Sequence, residues 1–357
     1  MQLLRLLYRR PLPTILSFVL LLWVFVSSGL YQHFFALSFK TEYKHWGPNM
    51  PLQPLIQQIK EKIPPDILPV NEFKHKFIYD NKQKCEVRDK SEPITFLLLV
   101  KSALKNFNVR DVIRQTWGSE QRFSDVIIRT VFLLGVEPDA QHLQRRLMQE
   151  NSQHKDIIQA DFIDEYFNNT IKTMMGHHWA YHNCPDAKYF FYVDDDYYVS
   201  TRNTLRFLKD PMNYPKYLYS FIINTDKHSQ EDLYAGYVFP SSRPKRWVLS
   251  KWYVSLEEYP YSHYPAYITA GAYILSRKSL ETLYFAELYT KFFRFDDIFM
   301  GMCAKKGNLH LLHQEEFHYH KKTYSIEGYK FTIASHGFKD PDEMHRIWEE
   351  QRSVGNA

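Results

Sequence analysis

The chain has 357 residues, and its hydrophobic fraction of 45% with 17% aromatic residues supports a packed core and excludes a disordered protein. Its formal net charge of +5 is spread along the sequence, which gives no indication of nucleic-acid binding and is compatible with a small anionic ligand. Three cysteines, Cys85, Cys184 and Cys303, permit at most one internal disulfide, and their spacing fits no zinc site.

The first ten residues include three arginines, Arg5, Arg9 and Arg10, and an almost uninterrupted apolar run follows over residues 12–31. Roughly 20 apolar residues span a bilayer as a helix, and the arginines would keep the N-terminus in the cytoplasm. The pattern predicts a cytoplasmic tail at 1–11, a signal anchor at 12–31 and a luminal remainder. A cleaved signal peptide is the alternative, and the length of the apolar run favours the anchor.

Residues 32–92 show no sustained hydrophobic period, and six prolines interrupt any helix or strand there. This segment is predicted to be a luminal stem that holds a globular domain, residues 93–357, away from the membrane. Asn168, Asn169 and Thr170 form an N-glycosylation sequon at Asn168, which is consistent with a luminal location.

From residue 94 onward, apolar strands alternate with amphipathic helices. Strands are predicted at 94–100, 130–134, 156–162, 189–193, 233–239 and 267–275, and helices at 109–117, 141–150, 170–181, 201–208 and 279–287. Such alternation indicates an α/β fold with a mostly parallel central sheet, whose ligands bind at the carboxyl ends of the strands.

The usual glycine-rich phosphate-binding motifs are missing from this sequence, so phosphate binding would depend on a metal and on basic side chains. Arg110 and Arg114 are candidates, because they lie four residues apart at the first strand-to-helix junction. Surface charges on a helix are the alternative explanation of both.

Three consecutive carboxylates, Asp194, Asp195 and Asp196, follow directly after the strand at 189–193. An acidic turn is commonly only a solvated loop, but this one lies between two aromatic stretches in an apolar region. Adjacent carboxylates repel one another unless a cation is bound, and oxygen ligands suit Mg²⁺ or Mn²⁺. The triplet is therefore a predicted metal site.

Two later segments supply further candidates. Asp296 and Asp297 open a helix, where a carboxylate can cap the helix or act as a general base. His318 and His320 share one face of a short extended segment, and either could be a metal ligand.

Together these motifs resemble the β-1,3-glycosyltransferase family, which includes β-1,3-galactosyltransferases, β-1,3-N-acetylglucosaminyltransferases and the Fringe enzymes. The resemblance covers about residues 94 to 350 in family order, and within the family it is strongest to brainiac-type enzymes. Its motifs are RDVIRQTWG (110–118), FLLG (132–135), DFIDEYFNNTIKT (161–173), VDDDYYV (193–199), YITAGAYILS (267–276) and FDDIFMG (295–301).

The resemblance implies a GT-A-type nucleotide-sugar-binding fold, an inverting mechanism and a Mn²⁺-bound UDP-sugar. Carried over to this sequence, Asp196 and His320 would bind the metal, with His318 as the alternative histidine. Asp194 and Asp195 would position the ribose and the water shell of the metal, and Asp297 would be the catalytic base.

The resemblance also implies a type II enzyme of the Golgi membrane that transfers N-acetylglucosamine in β-1,3 linkage to a glycan such as a mannosyl-glucosyl-ceramide glycolipid. Galactose transfer to a glycolipid or glycoprotein is the alternative within this class. A metal-dependent phosphohydrolase is an alternative from another class, because adjacent carboxylates also hold paired metals. A non-catalytic Golgi scaffold or sugar-binding protein is a third class, which the presence of candidate metal acids and a candidate base disfavours.

Overall fold

The computed structural model describes residues 11–87, 93–219 and 231–357. The chain divides into two compact units: unit 1 comprises Met1–Lys44 and Pro240–Pro265, and unit 2 comprises His45–Phe239 and Ala266–Ala357. Arg5, Arg9 and Arg10, on which the predicted membrane topology depends, lie outside the described residues.

The described part of unit 1 contains the helices α1 (Pro11–Ser27), α2 (Leu30–Phe35) and α3 (Phe39–Glu42). The large apolar side chains of α1 from Ile15 to Val26 are exposed. No helix within the described parts of the chain is long and apolar enough to cross a membrane.

Unit 2 is built on an eight-stranded sheet. Its strands are β1 (Phe77–Tyr79), β2 (Phe96–Lys101), β3 (Ile128–Val136), β4 (Ile157–Ile163), β5 (Tyr189–Asp194), β7 (Tyr234–Phe239), β8 (Tyr267–Ser276) and β9 (Leu312–His313). Their order in the sheet is β1-β4-β3-β2-β5-β8-β7-β9. The four central strands β4, β3, β2 and β5 run parallel, whereas β1, β7 and β8 add antiparallel pairs. The sheet is therefore mixed, with the predicted parallel arrangement at its centre.

The parallel strands are apolar because both faces of the sheet are covered. All six residues of β2 are buried. The helices of unit 2 are α4 (Leu52–Lys60), α5 (Phe107–Gln115), α6 (Gln141–His154), α7 (Asn169–Asn183), α8 (Thr201–Lys209), α9 (Arg277–Leu288), α10 (Asp296–Lys306) and α11 (Pro341–Ser353). Each helix predicted from residue 94 onward is present, and its ends differ from the prediction by a few residues.

A second, three-stranded sheet lies beyond the end of β5. Its strands are β6 (Tyr197–Val199), β10 (Phe317–His318) and β11 (Ala334–His336), in the order β10-β11-β6. Because β6 begins two residues after Asp195, the acid triplet forms the connection between the two sheets.

Part of the segment predicted as a stem belongs to unit 2. Strand β1 pairs with β4 at the edge of the large sheet, and Cys85 forms a disulfide with Cys184. The remaining cysteine, Cys303, is buried as a free thiol in α10.

Candidate active site

The two predicted acid groups meet on one buried lysine, Lys101. This residue ends β2 and lies opposite Asp194 in the parallel register of β2 with β5. Its ammonium group contacts Asp194 Oδ1 at 2.9 Å and Asp296 Oδ2 at 3.1 Å, and it donates to the Ala270 carbonyl at 2.9 Å. The Lys101 side chain is only 4% exposed, so its charge is balanced inside the protein by these two carboxylates.

Lys101 and Asp194 each affect the pKa of the other: the carboxylate raises the pKa of the lysine, and the lysine lowers that of the carboxylate. Although burial opposes the ammonium charge, the Asp194 and Asp296 carboxylates hold the pKa of Lys101 above its usual value. Burial raises the pKa of Asp194 to about 6, although Lys101 opposes the shift. Lys101 therefore remains charged and holds the strand end and the start of α10 together.

Asp195 is the most enclosed acid of the triplet, at 9% exposure. Its Oδ2 accepts hydrogen bonds from Ser102 Oγ at 2.6 Å and from Asn106 Nδ2 at 2.9 Å. Burial nevertheless raises the pKa of Asp195, and these two donors oppose that shift. The polar groups after β2 thus fix the carboxylate of Asp195 in place.

Asp196 contacts a histidine that the sequence analysis did not assign, His336. The Nε2 atom of His336 lies 3.1 Å from Asp196 Oδ2. The register of β11 with β6 explains this contact, since it pairs His336 with Tyr197, the residue after Asp196. The carbonyl of Asp196 also accepts hydrogen bonds from Gly337 and Phe338, at 3.0 and 2.8 Å. The Asp196 hydrogen bond raises the pKa of His336.

Asp297 occupies the first turn of α10, directly after Asp296. The helix packs closely on β8, because a Cβ on Gly301 would lie 2.5 Å from the Tyr267 Cβ atom. Asp297 Oδ1 accepts a hydrogen bond from the Ile298 N–H at 2.8 Å. Burial and the neighbouring Asp296 charge raise the pKa of Asp297 to about 7. A carboxylate with this pKa can both take up and release a proton near neutral pH.

The donor set around Asp196 fits a divalent cation. A carboxylate oxygen and an imidazole nitrogen are ligands that Mn²⁺ accepts, and such ions commonly complete their coordination with substrate phosphates and water. Among the residues that the structure describes, no group of three or more His, Cys, Asp or Glu side chains is arranged to hold a metal by itself. Asp196 and His336 could supply two ligands, and phosphate oxygens the others.

The predicted histidines lie in and after β10. His318 Nε2 is 3.4 Å from Glu316 Oε2 and the side chain is mostly enclosed, whereas His320 is exposed and packs against the Tyr319 ring. The contact seen with Asp196 is made by His336. The assignment of His320 or His318 as the metal ligand remains a prediction.

The interpretation of Arg110 and Arg114 as phosphate ligands is not supported by their contacts. Arg110 is fully buried and donates to Glu150, to Ser102 Oγ and to backbone carbonyls. Arg114 forms ion pairs with Glu150 and Asp156, at 2.6 and 2.8 Å. Both guanidinium groups are thus used within the protein. Arg110 reaches the acid triplet only indirectly, through Ser102 and Asp195.

The predicted glycosylation site lies at the start of α7. Asn168 is partly exposed and donates from Nδ2 to the Ile163 carbonyl at 2.8 Å. The hydroxyl of Thr170, the third residue of the sequon, is buried and donates to the Phe293 carbonyl. Glycosylation at Asn168 stays a prediction.

Four residues that contact the acid triplet were not predicted from any sequence motif, namely Lys101, Ser102, Asn106 and His336. One signal was available for the first, because a lysine that ends a wholly apolar strand lies at the same sheet edge as the acids. The pairing of β11 with β6 joins segments more than 130 residues apart, and no local pattern predicts it.

Comparisons with known proteins show which family this chain belongs to. A galactosyltransferase family profile matches residues 108–315. Beta-1,3-galactosyltransferase brn of Drosophila melanogaster is 45% identical over 267 residues, which cover 74% of this chain and 77% of that protein. Human beta-1,3-galactosyltransferase 1 is 35% identical over 286 residues, covering 80% and 81%. A crystal structure of the galactosyltransferase LgtC with donor and acceptor sugar analogs gives a TM-score of 0.36 at 13% identity, covering 73% of this chain and 97% of that one.

Proposed function

Since the chain belongs to the galactosyltransferase family and is a glycosyltransferase, we propose that it transfers a sugar from a UDP-sugar in β-1,3 linkage to a glycan acceptor, with inversion. The observation that carries this proposal is the meeting of the two acid groups at Lys101, with Asp297 beside them. A single displacement requires one base for the acceptor hydroxyl and no covalent nucleophile, so one carboxylate suffices.

In this mechanism Asp297 is the base. Its Oδ1 accepts a hydrogen bond from the Ile298 N–H, which orients the carboxylate to receive the acceptor proton. A pKa of about 7 keeps a large fraction of Asp297 ionised at neutral pH and still gives it useful basicity. Lys101 holds the neighbouring Asp296 and thereby orients the start of α10.

The diphosphate end of the donor is proposed to bind at the acid triplet. Asp196 and His336 would hold a Mn²⁺ ion, which when bound neutralises the negative charge that develops on the departing UDP. Metal binding requires neutral imidazole, so His336 must give up the proton that its contact with Asp196 favours. Asp194 and Asp195 would position the ribose and the water around the metal.

The identity of the donor sugar is the most specific part of the proposed function. The resemblance to brainiac-type enzymes supports N-acetylglucosamine, and the names of the relatives support galactose. We propose N-acetylglucosamine as the donor sugar and a glycolipid such as mannosyl-glucosyl-ceramide as the acceptor. The phosphohydrolase alternative has no support, because the matching family is one of glycosyltransferases.

We further propose attachment to the Golgi membrane through the N-terminal apolar segment, with a luminal catalytic unit. The exposed apolar side chains of α1 support this attachment. The orientation depends on arginines outside the described residues, and the domain limits of tail, anchor and stem belong to the same proposal.

A transfer assay tests the function directly. The purified chain is incubated with UDP-N-acetylglucosamine or UDP-galactose and with β-mannosyl or β-galactosyl acceptors, with and without Mn²⁺. We expect a β-1,3-linked product that requires Mn²⁺ and UDP-N-acetylglucosamine. Transfer of galactose alone would overturn the preferred donor, and UDP-sugar hydrolysis that ignores the acceptor would overturn the transferase mechanism.

A further inference from the structure

Unit 1 exposes a short apolar loop, residues 247–252. Trp247 is 53% exposed, Val248 43%, Leu249 72% and Trp252 53%. Soluble proteins seldom expose several large apolar side chains together to water. Such patches mark surfaces that bind a protein, a membrane or a ligand. We call these residues the apolar loop.

The apolar loop is held in a fixed conformation by a buried arginine at its base. Arg246 is 2% exposed and donates to the carbonyls of four residues that follow the loop, Val254, Ser255, Tyr259 and Tyr261. Backbone hydrogen bonds from Val254 to Lys245, from Ser250 to Trp247 and from Tyr253 to Ser250 close the loop. Its apolar side chains therefore point outward from an ordered backbone.

The apolar loop lies against the end of α1. The Val248 N–H donates to the Ser27 carbonyl at 3.2 Å. Gly29, just after the helix, has a φ of +72°, and a Cβ there would lie 2.0 Å from the Arg246 carbonyl oxygen. Only glycine permits both this backbone conformation and this close approach. The exposed surface of α1 is thus joined to that of the apolar loop.

The chemistry of this joined surface fits a lipid bilayer. Consecutive side chains of α1 from Phe18 to Val26 are exposed, so the helix is apolar on all its faces. A helix of this kind is typical of a lipid environment, whereas a protein partner would cover one face only. Tryptophan favours the interface between lipid and water, and the exposed Lys245 beside the loop can reach lipid headgroups.

We propose that the apolar loop inserts into the interfacial layer of the membrane beside α1, so that unit 1 contacts the bilayer at two places. This inference rests on the membrane attachment proposed above and adds a second contact to it. It assigns a membrane-binding role to Trp247, Leu249 and Trp252, which lie more than 200 residues from α1 in the sequence.

The test uses the full chain in lipid vesicles, with an environment-sensitive fluorophore attached to single introduced cysteines. Leu249→Cys probes the apolar loop, Leu22→Cys probes α1, and Ile326→Cys is the matched control for an isolated exposed apolar residue of unit 2. Native thiols interfere little, because Cys303 is buried and the other two cysteines form the disulfide. The vesicles contain phosphatidylcholine, with or without lipid brominated on the acyl chains.

We expect the brominated lipid to quench most of the fluorescence at positions 249 and 22 and little at 326, with an emission blue shift at 249. Quenching at 22 alone would overturn the second contact and leave the membrane attachment standing. Quenching at neither position would overturn both. A blue shift at 249 without lipid, on raising the protein concentration or on adding a soluble glycan acceptor, would assign the loop to a second copy or to the acceptor and overturn the inference.

Discussion

The acids at the end of β5 and the acids at the start of α10 differ in what holds them. Asp194, Asp195 and Asp196 each contact a different side chain, namely Lys101, Ser102 and His336. In the second group, Asp296 also contacts Lys101, whereas Asp297 accepts a hydrogen bond from the backbone N–H of Ile298. The partners thus divide five similar carboxylates into candidate positioning groups, a candidate metal ligand and a candidate base.

The comparison shows why carboxylates of one chemical type can have separate roles within a single site. An acid bound to a lysine or a hydroxyl stabilises the folded protein, because removing its partner would leave a buried group unpaired. Burial and the Asp296 charge raise the pKa of Asp297, and this supports the proposal that Asp297 exchanges a proton with the substrate.

The largest effect is expected from Asp297→Asn. Asparagine keeps the size of the side chain but cannot accept the proton of the acceptor hydroxyl, so we expect the turnover number to fall about a thousandfold. Steady-state transfer kinetics measure the loss, and UDP binding by calorimetry is the control that the donor site is intact. A variant that retained transfer within a few-fold of the native rate would exclude Asp297 as the base.

A second effect separates the two candidate histidines. Because His336 contacts Asp196, we expect His336→Ala to weaken the activation of transfer by Mn²⁺ about 10- to 100-fold. His320→Ala is the matched control, since that side chain is exposed, and it should change the Mn²⁺ dependence by less than about twofold. Titration of activity and of Mn²⁺ binding checks both variants. If His320→Ala weakened the activation by Mn²⁺ and His336→Ala did not, His320 would be the metal ligand.

A third prediction concerns pH. A base works in its ionised form, so transfer should be present above the Asp297 pKa of about 7 and should fall about tenfold per pH unit below it. Asp296→Asn removes the negative charge that raises this pKa, and the acid limb should then move to lower pH. Thr173→Val removes only the hydroxyl contact of Asp296 and should leave the limb in place. An unmoved limb in Asp296→Asn would mean that another group titrates.

Much of unit 2 follows from sequence patterns because its central strands are local and strongly apolar. The run that forms β5 and the acids after it are visible without a structure, and Asp297 is visible at the start of α10. Parallel pairing then places strand ends at one edge of the sheet. Lys101 belongs to this part of the fold, and it could have been predicted from its position at the end of β2.

The partners of the acids were harder to predict because they depend on pairing between distant segments. His336 reaches Asp196 only through the register of β11 with β6. The edge strand β1 shows no sustained hydrophobic pattern in the sequence. Its three residues form a strand because they pair with β4. Arg110 and Arg114 illustrate the same point, because their acidic partners lie on α6 and just before β4.

The smallest effect on donor binding is expected from Arg110 and Arg114. These variants test whether the two arginines stabilise the protein around the strand-end acids or bind phosphate. Arg110→Lys and Arg114→Lys form a matched pair, since both side chains contact Glu150 but only Arg110 reaches Ser102. Lysine cannot form the bidentate contacts, so we expect each variant to lower the free energy of unfolding by about 1 to 3 kcal/mol. UDP affinity should change by less than about twofold in Arg114→Lys, because the guanidinium of Arg114 is paired with Glu150 and Asp156. Chemical denaturation and UDP calorimetry measure the two quantities. A large loss of UDP affinity in Arg114→Lys with unchanged stability would restore the phosphate-binding interpretation and would move the anion site from the acid triplet toward α5.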